Sequence, residues 1–151
     1  MRLMILLMLL STAAIAQEAE PIDVPFSKEE MTTFVNGLAG CAGLYEAMSI
    51  IYREGGRQAT AKSMHEKHNG ARVSALYLLS VEHRLRTGEA KSLSEFDAYV
   101  DGVVETSATY VLSLIEQGDE RGLADEVEKC AILHEAQVYI VQLMRDAMIG
   151  R

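Results

Sequence analysis

Two near-copies of one heptapeptide carry the chain's two cysteines. They are Cys41-Ala-Gly-Leu-Tyr-Glu-Ala47 and Cys130-Ala-Ile-Leu-His-Glu-Ala136, identical at five of seven positions. Both copies lie within helical sequence patterns, 89 positions apart. A pair of cysteines so placed predicts one disulfide, Cys41–Cys130, joining the first long helix to the last. That bond dictates which helices are neighbours and at what height they meet.

An oxidising compartment is the setting in which such a pair forms. The N-terminus agrees with it. Arg2 precedes an apolar run from Leu3 to Leu10, and Ala14-Ile15-Ala16 follows. A basic start, a short apolar core and small residues at the end define a cleavable signal peptide, residues 1–16. The run is too short to span a bilayer, which takes about 20 apolar residues. Residues 17–27 form an acidic leader holding both prolines, Pro21 and Pro25, and residues 28–151 form a single helical domain. The expected location is the periplasm or the extracellular space, with no stable membrane anchor in the mature chain. The net charge of −8 argues against binding to nucleic acid.

The periodicity is helical from end to end. Ser27 with Glu30, and Ser92 with Glu95, are capping boxes that start helices. Gly55-Gly56, Gly88 and Gly118 stop them. The first seam reads Met31, Phe34, Leu38, Cys41, Tyr45, Met48, Tyr52, with alternating steps of three and four. The second segment, Arg57 to Thr87, carries Asn69-Gly70, a turn-favouring pair that predicts a kink or break. The third seam reads Leu93, Phe96, Val100, Val103, Ser107, Tyr110, Leu114. The fourth reads Leu123, Val127, Cys130, His134, Gln137, Val141, Met144, Met148. Long helices with short connections predict an all-α fold: a disulfide-linked antiparallel bundle of four main helices.

Function is less legible. Glu46 is the only charged residue between Met31 and Tyr52. Opposite the apolar seam stand Asn36, Ala39, Gly40, Gly43 and Ala47. A surface helix carries charges there, and each interior glycine costs about 1 kcal/mol against alanine. This small-residue face is either covered by the chain itself or is a docking face for a protein partner or a second copy. A basic cluster, Arg53, Arg57, Lys62, Lys67 and Arg72, joins His65 and His68. It either pairs with Glu95, Asp97, Asp101 and Glu105 of the third helix, is merely a solvated face, or forms an anion-binding or partner-binding patch.

Tyr45 and His134 each follow a cysteine by four residues. His134 is expected to be a hydrogen-bonded polar residue flanking the disulfide. His65 and His68 share a helix side, but no zinc-protease or di-iron spacing accompanies them. No Cys-x-x-Cys-His attaches haem, and no nucleophile elbow is present. No cofactor, metal or catalytic residue is assigned. The expected function is a secreted or periplasmic non-catalytic module acting through protein–protein contacts. The alternative is a bundle that binds a small ligand or metal.

Overall fold

The computed structural model describes residues 27–149, with side chains through 146. The signal peptide and nearly all of the leader lie outside the described residues, as does the Met148 side chain. Four helices follow one another: α1 (Lys28–Glu54), α2 (Gln58–Thr87), α3 (Asp97–Gln117) and α4 (Glu120–Ile149), with a short 3₁₀ turn, Leu93–Phe96, before α3. No strand occurs among the described residues.

Helix ends form where the side chains satisfy them. The Ser27 hydroxyl accepts from the Glu30 N–H at 3.0 Å, and the Glu30 carboxylate accepts from the Ser27 N–H at 2.9 Å. The Ser92 N–H donates to Glu95 at 2.8 Å, and there the chain makes the 3₁₀ turn before α3 proper begins. Gly88 and Gly118 close α2 and α3 with φ of 75° and 67°, a left-handed conformation that costs a side-chain-bearing residue energy.

The bundle is all-α, and the disulfide is formed. Cys41 and Cys130 are bonded, with Cα atoms 5.4 Å apart. α1 and α4 run antiparallel, as Cys41 opposite Cys130 and Gly37 opposite Leu133 show. α1 is the central helix and packs on all three others. Val35, Leu38, Ala39, Ala42 and Ala47 are fully buried on it. By length and composition α1 could cross a membrane, yet 56% of its most apolar window is buried in the bundle. Its missing charges are therefore accounted for by burial on several sides at once.

α2 is continuous through Asn69-Gly70, so the expected break does not occur. Gly70 serves a different end. A Cβ there would lie 2.5 Å from the Gln137 Nε2 of α4. The missing side chain makes room for Gln137, whose Nε2 donates to the Lys67 carbonyl at 3.2 Å. Ser74, fully buried beside it, donates to the Gly70 carbonyl at 2.8 Å.

Two seams are rotated from their expected positions. On α3 the buried stripe is Val100, Val104, Ala108, Val111 and Leu114, while Tyr110 is 50% exposed. On α4 the buried set is Cys130, Ala136, Gln137 and Ile140, and Val127 lies outside it. In both helices apolar residues occupy more than one face, so periodicity alone did not choose the buried one.

Candidate functional site

The small-residue face of α1 is covered by α3. Of the two alternatives for Asn36, Ala39, Gly40, Gly43 and Ala47, the docking face gives way to an internal helix seam. The Tyr99 hydroxyl donates to the Asn36 Oδ1 at 2.6 Å. Ser107 donates to the Gly40 carbonyl at 2.8 Å. A Cβ on Gly43 would lie 2.7 Å from the Ser107 Cβ and 2.8 Å from the Ala108 amide nitrogen. Ala39 and Ala47 are fully buried. The glycines bring two backbones together, which is what small residues on a helix face permit.

The basic cluster is not one patch. Arg57, Lys62, Lys67 and Arg72 are spaced by five, and each five-residue step turns about 140° around a helix. They therefore spiral round the start of α2 instead of sharing a face. Each has its own setting. Arg72 donates to Asp101 at 2.6 Å and 3.0 Å and to Asp97 at 2.8 Å. This is the charge complementarity expected with the third helix. Lys62 pairs with Glu66 at 3.9 Å on an open surface. Arg57 lies over the Tyr52 ring, 5.8 Å from its centroid, and Lys67 over the Tyr45 ring at 5.6 Å. Arg53 is exposed in the last turn of α1.

The hydrogen bond from Arg72 holds the Asp101 carboxyl below its ordinary value. A carboxyl depressed by folding stabilises the fold above its unfolded pKa and loses that contribution as pH falls through the folded one. Asp101 is exposed and Arg72 only partly buried, so the pair is screened. Arg72→Met should cost about 1 kcal/mol near neutral pH. In urea titrations the gap from the unmodified protein should close in acid, once Asp101 is protonated, and shrink in high salt. A gap that persists in acid would mean that Arg72 acts through packing.

His65 and His68 stack, with ring centroids 5.8 Å apart. The His68 Nδ1 donates to the Ala42 carbonyl of α1 at 3.0 Å, which leaves Nε2 unprotonated in the neutral ring. Among the described residues no group of three or more His, Cys, Asp or Glu side chains stands close enough together to hold a metal ion. Tyr45 is buried, and burial raises its phenol pKa, so it remains a neutral hydroxyl. His134 departs from expectation: its Nδ1 is buried with no hydrogen-bond partner among the described residues.

The surface that the sequence did not single out is on α4. Among the described residues six large apolar side chains are exposed, and four lie there: Val127, Ile132, Val138 and Tyr139. The other two, Tyr99 and Tyr110, are on α3. Ile132 is 73% exposed. Ile132 and Tyr139 are seven apart and form one row. Val127, Ala131 and Val138 form a second row at spacings of four and seven. Glu128 and Glu135 stand between the rows, exposed and with no ion-pair partner among the described residues. Beside the first row is a groove of about 690 Å³ between α4 and the start of α1, lined by Phe34, Gly37, Ile132 and Leu133 with Glu30 and Lys129 at its polar edges. The available sequence signal was Val138, beside a fourth seam that already had enough apolar residues. No family model matches the chain, and neither a curated protein nor a solved structure is significantly similar to it.

Proposed function

We propose that this chain is a non-catalytic binding module of the periplasm or extracellular space, and that it acts through protein contacts made by α4. The observation that carries the reading is the pair of exposed apolar rows on α4, with Glu128 and Glu135 between them. Contiguous exposed apolar surface marks interaction sites, and a few large side chains usually dominate such contacts. The partner is a protein surface that offers apolar side chains to Ile132 and Tyr139 and a lysine or arginine to the two glutamates. The formed disulfide suits the oxidising compartment that the sequence predicts.

The test is site-specific photo-crosslinking in the native host. A photoreactive residue at Ile132 or Tyr139 should give a discrete protein adduct, and one at exposed Glu105 of α3 should give none. Ile132→Asp should abolish the adduct formed at Tyr139 while changing stability by no more than about 0.5 kcal/mol, as for most surface substitutions. Equal adducts at all three positions, or none at 132 and 139, would remove the reading.

A further inference from the structure

A second concavity, of about 370 Å³, opens between α1, α2 and α4. Its walls are apolar: Leu44 and Met48 from α1, Met64 from α2 and Val127 from α4. Lys67 and His134 join them, with the phenols of Tyr45 and Tyr52. Neither the Lys67 nor the His134 side chain has a hydrogen bond or an ion pair among the described residues. The Lys67 ammonium has no carboxylate partner among the described residues and lies over the Tyr45 ring. The His134 Nδ1 is buried without a hydrogen-bond partner. Among the described residues no hydrogen bond holds that ring, so a half-turn about χ2 would break none. An apolar cleft with a few converging polar groups is the usual form of a small-molecule site.

We infer that this cleft binds a single-chain amphiphilic carboxylate, its head between Lys67 and His134 and its chain against Leu44, Met48 and Met64. The charge fits one carboxylate. A single ammonium faces the ligand in a chain of net charge −8, which disfavours a polyanion. The volume fits as well. At about 30 Å³ per liquid-like unit, the cleft holds on the order of a dozen non-hydrogen atoms, the size of decanoate. The site is separate from the α1/α4 groove and uses neither Ile132 nor Tyr139, although Val127 and Ala131 of the second row stand in its wall.

The test is calorimetric titration of the purified domain, disulfide intact, with decanoate below its micelle-forming concentration and with decanol as the uncharged control. Decanoate should bind once per chain and about tenfold or more tighter than decanol, since a charged hydrogen bond supplies that much. Lys67→Met keeps the apolar stem and should bring the two ligands to equal affinity. Ala131→Trp, at an exposed position on the cleft wall, should block both, whereas Ile132→Asp should block neither. Equal binding of decanoate and decanol to the unmodified protein would overturn the inference. So would an absence of binding, or a loss caused by Ile132→Asp with Ala131→Trp still competent.

Discussion

Gly43→Ala should destabilise the protein by about 2 kcal/mol, while Gly102→Ala should stabilise it by about 1 kcal/mol. The two substitutions add the same methyl group to a helix. On Gly102 a Cβ meets nothing within 4 Å, so only the helix-propensity gain remains, about 1 kcal/mol. On Gly43 the same gain is opposed by overpacking. The atoms in the way are the Val104 carbonyl oxygen, the Ser107 Cβ and the Ala108 nitrogen. Backbone atoms cannot rotate aside, so α1 and α3 must separate. Separation loosens the Val104 and Ala108 contacts and stretches the Ser107 bond to the Gly40 carbonyl. Overpacking of this kind costs about 3 kcal/mol at the upper end of its usual range. Urea denaturation of both variants beside the unmodified protein measures the difference directly. If Gly43→Ala were as stable as the parent, the α1–α3 seam would have slack that the structure does not show.

Removing the disulfide should have the larger effect. Cys41 and Cys130 close a loop of 89 residues. In the chain-entropy model, opening such a loop costs about 4–5 kcal/mol. Domains of this kind are stable by only about 5–15 kcal/mol. Cys41→Ala/Cys130→Ala should therefore lower the melting temperature by on the order of 15 °C. The loss should concentrate on α4, whose buried set is small: Cys130, Ala136, Gln137 and Ile140. Differential scanning calorimetry, with circular dichroism to follow helix content, checks both the size of the loss and where it falls. A drop of only a few degrees would show that apolar contacts alone hold α4, or that the unfolded chain already keeps the two cysteines close.

Much of the fold is legible in the chain itself. Capping boxes at Ser27 and Ser92, stops at Gly88 and Gly118, and two cysteines in matching contexts give the helices and the α1–α4 pairing. The faces are harder to read. α1 is buried on several sides, so its small residues indicated close approach without saying whether α3 or another molecule approached. Tyr110 and Val127 fit a three-four spacing as well as their buried neighbours do, and only the packing of α3 on Gly43 and of α4 on Cys41 selects between stripes. Gly70 carries a turn signal, yet it accommodates a side chain from sixty-seven positions later in the chain. The unpartnered nitrogen of His134 has no sequence signature at all, because it depends on what the neighbouring α1 and α2 leave undone.

Gln137 shows how a polar residue can set position where apolar packing cannot. It is 6% exposed, its amide reaches the Lys67 carbonyl, and it fills the notch left by Gly70. Among the described residues the buried face of α4 offers only Cys130, Ala136 and Ile140 beside Gln137, too few apolar contacts to oppose a one-turn slide by themselves. Such a slide carries the Gln137 amide away from its only carbonyl and drives it against a helix that has no notch, burying a donor unpaired. The apolar residues supply adhesion, and the amide supplies the address. With the disulfide fixing one point on α4 and Gln137 a second, the helix has neither a translation nor a rotation left to choose.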